Sequence, residues 1–307
     1  MSENNFSQLF EGQCTKFTII LGSGFHQQFI GPDSILSSWE KLLKELDSDV
    51  KLTGDYHLDF EKIIESKKTQ LEDSSKTESH LLKCIRVLLE KEQERVLRDC
   101  KDCYPLWLFN PKYISDVVSL NFDEIPEKLL HNGQNVKLGK FTNKSSFNSG
   151  SKESYSYLST RHKTVDFGNG GQINFWHPHG VNQNKKSIIL GLHKYSHMLE
   201  TSIRLRKHHM KLKKENQADS TWYQAILENP VIIIGAGMSS IEWDLWFAIT
   251  SRNRANKPAP TIFQMRDCEC KNDAQHQWFE PLFTGLKYDQ QWSELKKIFT
   301  KNQKSTK

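Results

Sequence analysis

The stretch Phe175-Trp-His-Pro-His-Gly-Val181 decides how the rest of the chain is interpreted. Turn-forming residues over 168–171 lead into the apolar, aromatic run 173–176, which predicts a short strand. His179 follows where that strand would end, and the glycine after it lets another molecule approach the imidazole closely. Ligands of open α/β sheets usually lie at such strand ends. The competing interpretation is a histidine in a surface loop.

The composition is that of a polar globular protein. Of 307 residues, 36% are hydrophobic, and the mean hydropathy is −0.64. No apolar run approaches the ~20 residues of a membrane helix, and the N-terminus lacks the basic-then-apolar pattern of a secretory signal. We therefore expect a cytoplasmic protein without membrane contact, folded as a single domain over 1–307. The net charge of +5 favours no class of partner by itself.

The six cysteines predict reduced thiols in a cytoplasmic protein. Cys100 and Cys103 have the spacing of metal ligands. Cys268 and Cys270 are closer together than the pairs of a four-cysteine zinc site. We therefore expect no bound metal.

Two β-branched runs each lead into a glycine turn. The run 17–21 predicts a buried parallel strand and is followed by Gly22-Ser-Gly24, whereas the run 231–234 is followed by Gly235-Ala-Gly-Met-Ser239. A strand, a glycine turn and a helix start direct backbone N–H groups towards a phosphate. Each turn alone is weak evidence, because position 27 is Gln and the dinucleotide fingerprint G-x-G-x-x-G is incomplete.

Polar residues also follow a second apolar run, 116–120. Asn121 and Asp123 stand at its end with an aromatic residue between them. In one interpretation both side chains reach one ligand, and in the other they cap the helix that follows. With a further strand predicted over 261–265, strands alternating with helices indicate an α/β fold with a doubly wound, parallel, Rossmann-like sheet.

The stretch from about 32 to 110 predicts a helical insertion after the first strand. Apolar residues at 39, 42, 43 and 46 recur at helical spacing, and the segment 81–97 repeats the pattern. The polar stretch 71–80 predicts a loop. Helices of this kind are more typical of a scaffold or a partner surface than of chemistry.

Three other stretches are distinguished by composition. Asn, Ser, Lys and Gly predict an irregular loop over about 132–171, and 300–307 is expected to be a tail. The basic run 204–214 is typical of the solvated face of a helix. Contact with nucleic acid is therefore expected to be weak or indirect.

Four strand ends occur in one order along the chain: Gly22-Ser-Gly24, Asn121-Phe-Asp123, His179-Gly180 and Gly235-Ala-Gly-Met-Ser239. Together with Ser187-Ile-Ile-Leu-Gly-Leu-His-Lys-Tyr195, this set resembles the sirtuin-like fold, especially the sirtuin-like NAD hydrolase domains of bacterial antiphage defence. The resemblance extends over about 17–299. The helical segment and the loop before His179 match in position only.

The resemblance implies a role for each matching position. Asn121 matches the asparagine that contacts the nicotinamide ribose and helps to place the attacking water, and His179 matches the catalytic histidine. Asp123 matches the acidic position near the nicotinamide carboxamide. The glycine turns match the parts that hold the dinucleotide: Gly22, Ser23 and Gly24 at the phosphates, and Gly235, Gly237 and Ser239 near the adenosine ribose.

One departure from the family separates two activities. Sirtuin-type protein deacylases carry a zinc module of two cysteine pairs between the catalytic histidine and the second glycine turn. Here no cysteine lies between His179 and Gly235. The resemblance therefore implies hydrolysis of NAD itself, without a metal, rather than deacylation.

The chemistry of NAD cleavage fits these residue types. The N-glycosidic bond to nicotinamide breaks through an oxocarbenium-like state, and the cationic pyridinium leaves without a proton from an acid. An imidazole with a pKa near ~6.5 is suited to act as general base. A carboxamide can hold a water molecule and a ribose hydroxyl together. This mechanism requires Asn121 and His179 to converge on the same sugar carbon.

Three alternatives remain open. The first is a catalytically inactive subunit of the same fold that senses NAD or ADP-ribose; the second is a Rossmann-type oxidoreductase; the third is nucleic-acid binding through the basic run. An enzyme that depletes NAD must also be gated. We therefore expect a separate regulatory protein partner, a homo-oligomer, or both, with the helices of 38–97 as the contact surface.

Overall fold

The computed structural model describes residues 6, 16–71, 74–133, 136–139, 142–143, 161–168, 170–183, 187–214, 221–238, 242–255, 259–266 and 278–301. A single sheet runs through this part of the chain. Its strands are β1 (Phe17–Leu21), β2 (Ile114–Ser119), β3 (Lys137–Leu138), β4 (Thr142–Asn143), β5 (Arg161–Asp166), β6 (Gln172–Trp176), β7 (Val231–Ile234), β8 (Ile262–Met265) and β9 (Glu280–Pro281).

Nine helices longer than one turn are described. They are α1 (Ser23–Ile30), α2 (Trp39–Leu46), α3 (Tyr56–Leu71), α4 (Ser74–Asp99), α5 (Ile125–Gly133), α6 (Leu192–Lys214), α7 (Trp222–Glu228), α8 (Trp243–Ala255) and α9 (Tyr288–Lys301), with a short 3-10 helix at Leu106–Leu108. Four of them, α1 to α4, lie between β1 and β2. None of the described helices is long and apolar enough to cross a membrane.

The strand order is compatible with a Rossmann-like fold. The sheet runs β3-β5-β6-β2-β1-β7-β8-β9, with β4 also paired to β5. The strands from β6 to β9 in this order are mutually parallel. Numbered by chain position, these six parallel strands follow the order 3-2-1-4-5-6, which reverses direction between β1 and β7. The predicted α/β class is therefore confirmed, and the sheet is compatible with a Rossmann-like fold.

Both faces of the parallel sheet are covered, as the unbroken β-branched runs predict. Successive residues of β1 alternate between two hydrophobic cores: Ile19 and Leu21 belong to one and Ile20 to the other. The first core includes Leu43, Phe60 and Leu89 from α2, α3 and α4. The second includes Trp222, Tyr223 and Leu245 from α7 and α8.

The predicted irregular loop over 132–171 needs correction, because it contains three strands, β3, β4 and β5. β5 pairs antiparallel with β6, placing Val165 opposite Ile173, and it also pairs antiparallel with β3 and β4. The sheet is therefore not parallel throughout. Although Val165 is fully buried, the residues of β5 are mostly polar, so composition alone indicated a loop.

The predicted loop over 71–80 was also wrong, because α4 begins at Ser74. In the first described turns of α4, Thr77 is fully buried. The apolar pattern begins only with Leu81 and Leu82, which are buried as well. Because the buried residue Thr77 is polar, the start of α4 shows no hydrophobic periodicity in the sequence. The predicted tail, 300–307, lies largely outside the described residues, and α9 continues to Lys301.

Candidate functional site

The glycine turns after β1 and β7 meet where the strand order reverses, which is the usual ligand crevice of such sheets. A Cβ at Gly22 would lie 2.5 Å from the carbonyl oxygen of Gly235. Gly235 has φ +68°, and a Cβ there would lie 2.0 Å from the backbone nitrogen of Phe25. These two glycines are thus required by the contact between the turns, whether or not a ligand binds.

The first turn also uses its own backbone donors. The N–H of Gly22 donates to the carbonyl of Ile234 at 3.0 Å, and the N–H of Gly24 donates to the carbonyl of Gly235 at 2.9 Å. Two of the three donors expected to cradle a phosphate are therefore engaged within the protein.

Gly237 is in a different situation. Among the described residues, a Cβ there would meet no heavy atom within 4 Å, and Gly237 lines the same cavity as Gly22 and Gly235. Packing within the described residues therefore does not require a glycine at this position. The predicted site residue Ser239 lies outside the described residues.

A cavity of about 150 Å³ opens between the two turns. A cavity of that size accommodates one aromatic ring, so a whole dinucleotide would have to extend beyond it. The helical segment between β1 and β2 supplies one wall. The lining residues are Gly22, Ser23, Trp39, Tyr56, His57, Leu120, His179, Tyr195, Gly235, Ala236, Gly237 and Glu242.

His179, Asp244 and Tyr195, here named the cavity triad, form a chain of hydrogen bonds beside this cavity. Nε2 of His179 is 3.1 Å from Oδ2 of Asp244, and the Tyr195 hydroxyl donates to Oδ1 of Asp244 at 2.9 Å. Asp244 is fully buried, and each of its carboxylate oxygens has a side-chain partner inside the protein. A histidine held by a buried carboxylate is the arrangement by which enzymes orient a general base.

The electrostatics of the triad favour a proton on the histidine. Burial lowers the pKa of His179, but the adjacent Asp244 carboxylate outweighs burial, and the net pKa is raised above 6.5. The charge of Glu242 and a hydrogen bond to the backbone carbonyl of Leu120 act in the same direction. Although burial alone would raise the pKa of Asp244, interaction with His179 lowers it. The carboxylate therefore stabilises the imidazolium that forms when His179 accepts a proton.

Asn121 does not line the cavity of His179. Its side chain is buried, and Nδ2 donates to the carbonyl of Gly22 at 3.1 Å. It lines a small adjoining cavity of about 20 Å³ that shares Ser23 and Trp39 with the main one. The predicted convergence of Asn121 and His179 in one cavity is therefore not observed, and the contact of Asn121 is with the first glycine turn.

His26, Asp123 and Tyr104, here named the closed triad, hold the third predicted polar residue. Oδ2 of Asp123 is 2.8 Å from Nε2 of His26, whose Nδ1 is 2.7 Å from the Tyr104 hydroxyl. Oδ1 of Asp123 accepts from the N–H of Ile125 at 3.0 Å, as in a helix cap. Asp123 is 1% exposed; it lines the small cavity and not the main one. The capping interpretation accounts for the contact with Ile125, whereas the pairing with His26 was not predicted.

Sequence reasoning missed Asp244, Tyr195 and His57 as parts of the site. The two partners of the cavity triad lie 49 positions apart, and nothing local links them. The imidazole of His57 stacks on the Tyr195 ring at 3.9 Å between centroids. Burial, and then the charge of His179, lower the pKa of His57 to about 4. The only available signal was the position of Asp244, at the start of the helix after the second glycine turn.

Metal ligation finds little support in the described residues. They contain no group of three or more side chains suited to hold a metal ion. Cys100 and Cys103 are free thiols, and Cys268 and Cys270 lie outside the described residues.

No protein-family model and no curated protein matches this chain. The geometry of the cavity and the pattern of residues around it are therefore the basis for any functional inference.

Proposed function

We propose that this protein hydrolyses NAD to nicotinamide and ADP-ribose by cleaving the N-glycosidic bond to nicotinamide. The observation that carries the proposal is the cavity triad at the crevice between the two glycine turns. There an oriented base, a ring-sized cavity and the open face of Gly237 lie together. The resemblance to sirtuin-like NAD hydrolases rests on the same strand ends.

The reaction assigns one step to each group. The nicotinamide ring enters the cavity, and its pyridinium leaves as the ribose develops oxocarbenium character. His179 accepts the proton of the attacking water or of a ribose hydroxyl. Asp244, itself held by Tyr195, stabilises the resulting imidazolium. Asn121 acts through its hydrogen bond to Gly22, which positions the first glycine turn.

Nicotinamide release from NAD, followed by chromatography, tests this function. His179→Ala is expected to reduce release by ~10²–10⁴-fold, the usual contribution of a general base. His193→Ala, at an exposed histidine at the start of α6, is the matched control and should keep the parental rate. Asn121→Ala is expected to abolish release as well. Hydrolysis at the parental rate by His179→Ala would refute the assignment.

The second candidate is a catalytically inactive subunit of the same fold that binds NAD or ADP-ribose. The separation of Asn121 from His179 favours it, because neither residue completes the other's cavity. NAD binding by calorimetry, without nicotinamide release under any condition tested, would decide for this candidate.

The biological setting we propose is a gated, cytoplasmic, NAD-depleting effector of prokaryotic antiphage defence that acts by abortive infection. We interpret α2 to α4 as a helical insertion that contacts a regulatory partner or a second copy of the chain. Activity should therefore depend on assembly. Nicotinamide release measured across the fractions of a size-exclusion run tests this, and full activity in an isolated monomer would contradict it.

A further inference from the structure

A second cavity, of about 130 Å³, lies near the amino ends of the parallel strands and is here named the amino-end cavity. Asp116 is the third residue of β2 and Asn229 precedes β7, whereas both glycine turns follow the carboxyl ends of their strands. Because β1, β2 and β7 are mutually parallel, this cavity and the candidate site lie at opposite ends of the strands. Its lining residues are Asp116, Thr221, Gln224, Ala225, Glu228 and Asn229.

Asp116 is a buried carboxylate with one oxygen left over. It is 8% exposed, and its Oδ1 accepts hydrogen bonds from Nδ2 of Asn174 at 3.2 Å and from Nε1 of Trp176 at 2.8 Å. Within the part of the chain that the structure describes, its Oδ2 has neither a hydrogen bond nor an ion pair. Because buried charges are normally paired and hydrogen-bonded, this oxygen in a cavity wall points to a ligand from outside the protein.

The two side-chain amides of the amino-end cavity have hydrogen bonds that identify their nitrogen atoms. The Thr18 hydroxyl donates to the carbonyl of Ala225 at 3.1 Å and therefore accepts from Nδ2 of Asn229, at 3.0 Å. Nε2 of Gln224 donates to the Glu228 carboxylate at 3.0 Å, and an ionised carboxylate can only accept. Among the described residues, Oδ1 of Asn229 and Oε1 of Gln224 thus remain as acceptors without a partner.

The charge at this cavity is negative. Asp116 and Glu228 line it, and no lysine or arginine of the described residues does so. Arg252 lies nearby, but its guanidinium donates to backbone carbonyls, including that of Asn229 at 2.6 Å, and to neither carboxylate. Glu228 is 41% exposed in its side chain and lies 3.6 Å from Nε2 of His209. The cavity therefore presents acceptor oxygens and negative charge to a ligand.

We propose that the amino-end cavity binds a primary ammonium group, carried by a small alkyl amine or by a lysine side chain. An ammonium has three N–H donors and no acceptor, which matches the three acceptor oxygens left without protein partners. Its charge is stabilised by Asp116 and Glu228. A planar guanidinium fits less well, because it pairs best with both oxygens of a carboxylate and Oδ1 of Asp116 is already engaged. This site does not depend on the proposed function.

The test compares n-butylamine, a cation at neutral pH, with 1-butanol, an uncharged molecule of the same length. Ligand-observed NMR titration measures the binding of each to the full chain. The amine is expected to bind at least about tenfold more tightly, because hydrogen bonds to a carboxylate are stronger when the donor is charged. A Gly-Lys-Gly peptide with both termini capped carries the same ammonium on a lysine. Tighter binding of the peptide than of the amine identifies a lysine side chain as the source, and the reverse identifies a small amine.

Two variants assign the preference to the amino-end cavity. Asp116→Asn should reduce it to about twofold or less, because the amide oxygen can still accept from Asn174 and Trp176 but the charge is lost. Glu228→Gln, at an exposed position, should reduce it about threefold. Glu200→Gln is the matched control, since Glu200 is an exposed glutamate of α6 that does not line the cavity. Circular dichroism confirms that each variant is folded.

The outcomes separate clearly. A preference for the amine that falls in Asp116→Asn and Glu228→Gln, but is kept in Glu200→Gln, supports the site. Equal binding of amine and alcohol, binding of neither, or an unchanged preference in both cavity variants overturns it. If Asp116→Asn does not fold, Glu228→Gln decides by itself, because its side chain is partly exposed. None of these results depends on whether the protein hydrolyses NAD.

Discussion

The closed triad and the cavity triad are built from the same three residue types, joined in a different order. In the closed triad the histidine is central, and its two ring nitrogens are bonded to the aspartate and to the tyrosine. In the cavity triad the aspartate is central and bonds both the histidine and the tyrosine. The histidine of the cavity triad thus uses only one of its ring nitrogens on the other two members.

The two triads also differ in whether their members line the main cavity. All three members of the closed triad are at most 5% exposed, and none lines the main cavity. Two members of the cavity triad, His179 and Tyr195, do line it. A buried histidine–aspartate pair is therefore not by itself a site. What distinguishes the candidate site is that its histidine lies beside a space that a ligand can enter; that imidazole also hydrogen-bonds the backbone carbonyl of Leu120.

The largest expected difference between the triads is in stability. His26→Ala leaves the buried Asp123 carboxylate without its side-chain hydrogen-bond partner, and should lower the free energy of unfolding by ~3–5 kcal/mol. His179→Ala should cost a smaller ~1–2 kcal/mol, because Asp244 keeps the Tyr195 hydroxyl and the cavity admits water. Urea denaturation of both variants measures this. A larger cost for His179→Ala would reverse the comparison.

The next largest expected effect is a pH dependence of stability that arises from His57, which stacks on Tyr195 of the cavity triad. Because burial depresses the folded pKa of His57 to about 4 from 6.5, the unfolded chain binds the extra proton between these values. Stability from this group is therefore fully present above pH 6.5 and is lost as the pH falls towards 4. The loss should amount to ~3 kcal/mol.

His57→Phe keeps a ring against Tyr195 and removes the titration. Free energies of unfolding at pH 7 and pH 4.5 should thus differ by ~2 kcal/mol less in the variant than in the parent, because pH 4.5 is still above the folded pKa of His57. His179, Asp244 and Asp55, the charged groups that act on His57, are present in both proteins. The same pH dependence in parent and variant would contradict the assignment.

The smallest expected effect tests whether Asp244, the central aspartate of the cavity triad, raises the pKa of His179. A general base must be unprotonated, so activity is lost as the pH falls through the raised pKa of His179, which lies above 6.5. Asp244→Asn removes the carboxylate charge that raises the pKa of His179 and should therefore lower that pKa. The acid limb of the kcat/KM profile then moves to lower pH.

Ring-proton NMR of His179 follows the same titration without requiring activity. Asp33→Asn, at an exposed carboxylate paired with Lys41, is the control and should leave the pKa of His179 unchanged. An unmoved or raised pKa in Asp244→Asn would show that this carboxylate does not govern the proton affinity of His179.

Most of the parallel sheet followed from the sequence. The runs at 17–21 and 231–234 became β1 and β7 with the predicted bounds, because strands buried on both faces are unbroken β-branched runs. Strands with only one buried face were not predicted. β5 carries polar residues on an antiparallel edge of the parallel core, where composition resembles that of a loop.

The candidate site was only partly readable in the sequence. The sequence by itself determined that glycine turns, Asn121, Asp123 and His179 stand at strand ends, because strand periodicity and turn residues are local properties. The tertiary structure alone decided that Asp123 belongs with His26, that His179 belongs with Asp244, and that Asn121 faces a neighbouring cavity. These pairings join residues 65 to 97 positions apart in the chain, and only the packing of helices against the sheet selects among the possible partners of a buried carboxylate.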